Sequence, residues 1–192
     1  YEIRLSLVGS EMCIRDRVYV ITKYITVIGS ILKGFWEHLF CRILGVPVSD
    51  ARYLQATELC GHVEHDFTKT KAVTFFINYL PGMMNRLFGY GMVVGGYLGL
   101  FYMKAGTDTV AFWFCVALYY IGVSLMCNNA PLYEDALNNW DLLYGKGKKV
   151  NIFAKIFAFL PSVYFIVSAW LEKNGLSLLI WIALTLVGIF VL

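Results

Sequence analysis

The sequence predicts an all-α membrane protein, a polytopic bundle of about four to five transmembrane helices. Three observations lead there. The chain is 59% hydrophobic and 15% charged, against roughly 45–50% apolar and ~25% charged in soluble domains. Its clearest apolar runs, Thr109–Pro131, Ile156–Leu171 and Asn174–Leu192, contain no Asp, Glu, Lys or Arg, and two of them approach or exceed the ~20 residues a bilayer core requires. The charges fall in the gaps between such runs. The lipid bilayer is therefore the first expected partner, with the chain multi-pass in the cell membrane. Net charge is only +3, with no Lys/Arg-rich run, so the electrostatic footprint of a nucleic-acid binder is missing.

In chain order, Tyr1–Arg17 (YEIRLSLVGSEMCIRDR) has no helical period and resembles translated sequencing-adapter sequence; residues 1–17 are read as a non-native leader and 18–192 as one integral membrane domain. Val18–Leu32 is apolar but short and carries Lys23, which makes it a first span or half of one continuing into Phe35–Val46. The helical reading ends at Gly45-Val46-Pro47, because proline biases its predecessor away from the helix. A polar segment over 47–71 follows. Within it Leu59–Phe67 (LCGHVEHDF) lacks the 3.6 period, which predicts a short polar hairpin around 58–67.

Ala72–Met103 is long enough to cross once, but Pro81-Gly82 divides it, with Asn78, Asn85 and Arg86 close by. A kinked or discontinuous helix is expected there. Gly91, Gly95 and Gly99 recur four apart, a face on which another helix can approach closely. Packing within the chain is its simplest use; association with a membrane-protein partner or a second copy, or a substrate groove, are the others. Thr109–Cys127 is a good span. Glu134–Tyr144 (EDALNNWDLLY) puts Leu137, Trp140, Leu143 and Tyr144 on one face and Asn138, Asn139 and Asp141 elsewhere, an interfacial amphipathic helix around 134–144. Glu134 and Asp135 suit its positive N-terminal end, and Lys146, Lys148 and Lys149 follow its negative end. Phe153–Leu171 and Gly175–Leu192 then flank the turn Glu172-Lys173-Asn174 as a transmembrane hairpin. The chain stops inside an apolar run at Leu192 without a polar flank, and with the leader set aside, truncation at both ends is an expectation. Lys and Arg concentrate in the loops 33–71 and 128–151, so both are expected to be cytoplasmic.

The chain has five cysteines; Cys115 and Cys127 sit in or beside an apolar run, where a thiol acts as a small hydrophobe, and no disulfide framework is implied. All three histidines lie in one polar stretch and its approach, His38 with Cys41, and His62 and His65 with Cys60 and Glu64. Imidazole, thiolate and carboxylate are the usual zinc donors. His38 and Cys41 fall one turn apart on a helix, and an extended Cys60–His65 could add two donors, although HxxC with CxHxxH matches no standard zinc spacing. Three readings stay open: solvated histidines at the membrane surface, a structural metal site, or a catalytic site with Glu37 or Glu64 as general base. Arg86, near the proline break, is either functional at membrane depth or snorkels to the interface. Asp135 either faces a neighbouring site or stabilises its helix N-terminus.

Three segments, Phe40–Val48 (FCRILGVPV), Cys60–His65 (CGHVEH) and Asn128–Ala136 (NNAPLYEDA), together resemble a family of small integral membrane proteins related to site-2-protease-type metallopeptidases, over most of Val18–Trp170. The resemblance implies a similar order of helices. The HExxH window of that family falls on Lys33-Gly34-Phe35-Trp36-Glu37, which has no histidine, and the Pro-Ser-x-x-Asp segment reads Pro131-Leu132-Tyr133-Glu134-Asp135. No proteolytic residue carries over. The expected function is that of a membrane protein without standard protease activity, acting through a partner or by binding a metal, zinc being the candidate, through His38, Cys41, Cys60, His62 and His65. A membrane metallohydrolase built on the same cluster is the alternative, and a small transporter component using Pro81 and Arg86 the second.

Overall fold

The computed structural model describes residues 18–53, 62–65, 71–103, 106–107, 109–145 and 150–191. It is an all-α chain with one small sheet. Helix α1 (Val18–Ile25) meets α2 (Val27–Ile43) at an 87° bend, so the single apolar segment read over 18–32 is broken at Thr26. The cause lies in the hydrogen bonds. Thr22 Oγ1 donates to the Val18 carbonyl at 2.9 Å and Thr26 Oγ1 to the Thr22 carbonyl at 2.8 Å, the back-bonding that bends helices. The Ile25 carbonyl accepts instead from the Tyr120 hydroxyl at 2.6 Å, and the Gly29 N–H donates to Ser124 Oγ at 2.9 Å. Side chains of a distant helix thus satisfy the backbone groups the bend leaves open.

Helix α2 ends as its sequence suggests. Gly45 adopts φ 68°, with Gly45 N–H donating to Arg42 O at 3.2 Å and Val46 N–H to Cys41 O at 2.8 Å, the double-bond C-terminal motif that favours glycine. Strands β1 (Val48–Arg52) and β2 (His62–His65) then pair antiparallel, with Asp50 opposite Glu64 and Arg52 opposite His62. A strand falls inside 58–67 as expected, but its partner is upstream at 48–52. The sheet packs on α2, and Val63 is fully buried.

Helix α3 (Lys71–Tyr97) runs unbroken through Pro81 and passes into a π-helical turn over Leu98–Tyr102. The helix is therefore continuous at Pro81-Gly82, and the irregularity begins seventeen residues after Pro81, at Leu98. Gly82 presses on the Asn129 carbonyl, leaving no room for a Cβ. Helix α4 (Val110–Cys127) is capped by Thr109, whose Oγ1 accepts from the Phe112 N–H at 3.3 Å, and packs along α3 in the most extensive helix pair of the chain. Gly89, Gly96 and Gly99 make that approach, met by Gly122 from α4. Of the expected Gly91/Gly95/Gly99 face, Gly91 faces open space, whereas a Cβ on Gly95 would lie 3.3 Å from Leu118 Cδ2 of α4 and Gly99 lies tighter still, against Cys115.

Helix α5 (Tyr133–Tyr144) keeps Asn138 and Asp141 exposed and Trp140, Leu143 and Tyr144 half-buried, as its two faces suggest, and departs at two positions. Leu137 is 40% exposed and Asn139 is buried, where Asn78 Nδ2 donates to its Oδ1 at 3.3 Å. Trp140 and Tyr144 stack on each other and on Phe159. Helix α6 (Ile152–Lys173) and α7 (Leu176–Val191) form a hairpin, joined through Asn174 and Gly175 at φ 69°. Among the described residues two helices, α4 and α6, are long and apolar enough to cross a membrane, or three crossings result if the bent α1–α2 pair counts as one. At 16 residues α7 is shorter, about 24 Å long against a ~30 Å hydrocarbon core.

Candidate functional site

One face of α2 carries Ser30, Lys33, Glu37 and Cys41, all buried, at the three- and four-residue spacings that stack side chains along a helix. Lys33 is 4% and Glu37 5% exposed. Charges removed this far from water require partners. Glu37 accepts from the Val63 N–H of β2 at 3.3 Å. Lys33 lies 3.6 Å from Glu172 Oε1. Lys33 and Glu37 also line a cavity of about 10 Å³ together with Asn78, Pro81, Leu132 and Asp135, room for about one water. An ammonium, two carboxyl groups and an amide around such a space can fix a single water or an ion of that size.

Glu172 is the second centre. The sequence places it in a turn; the structure places it in the last turn of α6, 5% exposed. Its Oε1 accepts from Lys23 Nζ at 2.5 Å and its Oε2 from the Ala130 N–H at 3.1 Å. Lys23 donates as well to Asn128 Oδ1 at 2.6 Å, which also accepts from Ser30 Oγ at 2.8 Å. Asn128 Nδ2 reaches Thr26 O, Thr26 Oγ1 and Ser124 O at 3.0, 2.8 and 2.8 Å. The Asn128 carbonyl takes a bond from Asn85 Nδ2 at 2.7 Å, and the same nitrogen reaches the Gly29 carbonyl at 3.1 Å. Five helices are thereby joined at one point where α1 bends into α2.

Of the predicted metal donors, His38 is engaged elsewhere: its Nδ1 lies 2.5 Å from the Tyr53 hydroxyl, and the two rings stack. Cys41 is fully buried on the inner face of α2. Cys60 and the side chains of His62, Glu64 and His65 lie outside the described residues. Among the described residues no group of three or more His, Cys, Asp or Glu is placed to hold a metal ion. Arg86 does not snorkel to an end of its helix: its guanidinium sits 4.0 Å from the Tyr164 ring centroid and 5.5 Å from that of Phe165, a cation–π clasp, and donates to the Asn129 carbonyl at 3.3 Å. Asp135 lines the same cavity as Lys33 and Glu37.

Sequence reasoning missed Lys23, Lys33, Asn128 and Glu172 as a set. A signal existed: a lone lysine inside the first apolar run and a lone glutamate at the end of a later one are complementary charges at the edges of apolar segments, and such charges pair inside bundles. The chain matches no protein-family model, no curated protein and no solved structure.

Proposed function

We propose that this chain is a multi-pass membrane protein of site-2-protease-like architecture, with four to five spans, that has no peptidase activity. The observation that carries the reading is the pair Lys33 and Glu37. They occupy the first and last places of the window that reads HExxH in such peptidases, they share a buried face of α2, and they line one cavity with Asp135. A histidine pair with a carboxylate at those places is a donor set for catalytic zinc. Here a lysine ammonium stands at one corner, and a fixed positive charge opposes a divalent cation in a low-dielectric space. The site then acts as a polar keystone that can bind a water or a small ion and couple α2 to α5. The polar segment 47–71 and the loop 128–151 face the cytoplasm in this reading, supported by Arg52, Lys69, Lys71, Lys146, Lys148 and Lys149 in the sequence.

The test converts the site. Purified in detergent, the unmodified protein is expected to carry no stoichiometric zinc and to leave membrane-peptide substrates intact. The double variant Lys33→His with Glu37→His, with Asp135 kept, is expected to gain zinc by elemental analysis. Stoichiometric zinc in the unmodified protein that disappears in His38→Ala would overturn the reading in favour of the His/Cys cluster.

A further inference from the structure

A second, larger cavity of about 210 Å³ lies between α4, α6 and α7. Its two ends differ in chemistry. Asn129, Ser168, Glu172 and Ser177 line it on the polar side; Leu171, Ile180, Trp181 and Leu184 line the rest. Two features of the polar end call for a ligand. Ser177 Oγ is buried with no nitrogen or oxygen partner, only the weakly hydrogen-bonding Cys127 thiol near it, a state that costs about 1–3 kcal/mol unless something satisfies it. Glu172 Oε2 uses one bond, to the Ala130 N–H, of the two or so its lone pairs can accept. The apolar end opens sideways: Tyr164, Ile180 and Leu184 line the cavity yet are 47%, 44% and 53% exposed. Those exposed faces belong to helices whose outer surface is Leu, Ile, Val and Phe, including Leu179, Val187 and Val167, which is a surface suited to lipid.

We propose that this cavity binds a single-chain, hydroxyl-headed amphiphile that enters from the lipid side. A hydroxyl both donates, to Glu172 Oε2, and accepts, from Ser177 Oγ, so it satisfies both open valences at once. An ionised carboxylate or phosphate head accepts but does not donate, so it leaves Glu172 Oε2 unanswered, while the lysines that neutralise Glu172, Lys23 and Lys33, both lie at Oε1. The size agrees. A cavity of about 150 Å³ holds a benzene ring, and Ser177 to Leu184 spans two helical turns, about 10 Å, enough for the head and the first part of an acyl or alkyl chain whose remainder lies in the bilayer. The inference does not depend on the loss of peptidase chemistry at Lys33 and Glu37, since the two cavities share no lining residue.

The experiment uses the full chain in phosphatidylcholine nanodiscs with three diazirine-tagged probes of equal chain length, a monoacylglycerol, a fatty acid at neutral pH and an alkane. Crosslinked peptides are mapped by mass spectrometry. The monoacylglycerol is expected to label the segment Leu171–Leu184 saturably and to be displaced by untagged monoacylglycerol. Ser177→Ala is expected to weaken that labelling roughly fivefold, the share of one neutral hydrogen bond. Leu184→Trp, which fills the apolar end and leaves Glu172 and Ser177 in place, is expected to abolish it; both variants are checked for unchanged thermal unfolding before use. Equal labelling by the alkane would reduce the cavity to a greasy groove and overturn the proposal, as would preference for the fatty acid. Non-saturable labelling spread over Leu179 and Val187 would overturn it too.

Discussion

The bundle is held together in two ways, and they can be compared directly. Along α3 and α4 the helices meet at glycines: a Cβ on Gly96 would sit 2.7 Å from the Tyr119 nitrogen and 2.9 Å from the Cys115 oxygen, and one on Gly122 would sit 2.6 Å from the Val93 nitrogen. No charge is involved. Where α1, α2, α4 and α6 meet, Lys23, Asn128 and Glu172 hold the helices instead. The first kind of junction works by van der Waals contact between close backbones, which lipid cannot imitate. The second depends on completeness, because each buried polar group is tolerated only while all its partners are present. The glycine junction should therefore fail gradually and the ionic one abruptly.

The largest effect is expected at Glu172. Glu172→Leu leaves Lys23 buried beside Asn128 and the Ala130 N–H unpaired, a loss of about 3–5 kcal/mol, as for other buried pairs broken from one side. Reversible unfolding in mixed micelles measures it. Adding Lys23→Met to Glu172→Leu is expected to recover part of the loss, because Lys23 is no longer buried without its carboxylate while Lys33, 3.6 Å from Glu172 Oε1, still is. A double variant no more stable than the single one would mean that the geometry around Asn128, rather than charge pairing, carries the junction.

The glycine junction comes next. Gly96→Leu must displace backbone atoms of α4, Tyr119 N at 2.7 Å among them, and overpacking of that kind costs about 1–3 kcal/mol. The same assay ranks it against Glu172→Leu. Should Gly96→Leu prove the more damaging, the contrast between the two junctions is reversed, and the α3–α4 pair becomes the organising element of the fold.

These junctions were not equally legible in the sequence. The apolar runs announced α4 and α6, since composition and length alone decide whether a helix can cross a bilayer, and Gly45 before Val46-Pro47 marked the end of α2. Which glycines face a neighbour was not legible. Gly91, Gly95 and Gly99 have the regular spacing, yet Gly89, Gly96 and Gly99 make the contact, because a helix with glycine on several faces leaves the choice of face to its partner. In α5 a single position behaved likewise, Asn139 pointing inward at Asn78. Buried charge was the least legible feature: Glu172 beside Lys173 and Asn174 reads as a polar turn, and only the bend at Thr26 brings Lys23 within 2.5 Å of it. The two charges stand out singly against apolar runs, but nothing local pairs residues 149 apart.

The smallest expected effect tests the same contrast from the lipid side. Gly91 has no atom within 4 Å of where its Cβ would lie, and it sits within the α-helix Lys71–Tyr97. Substitution there meets neither a neighbouring backbone nor a polar partner, so only helix propensity acts. Gly91→Ala is then expected to stabilise the chain slightly, by up to about 1 kcal/mol, in the same micellar unfolding assay at protein concentrations low enough to keep copies apart. Gly91→Leu should be tolerated under those conditions, whereas Gly96→Leu is not. A destabilising Gly91→Ala would show that this face is covered after all, and a loss that grows with protein concentration would assign the cover to a second copy, since only association makes stability depend on concentration.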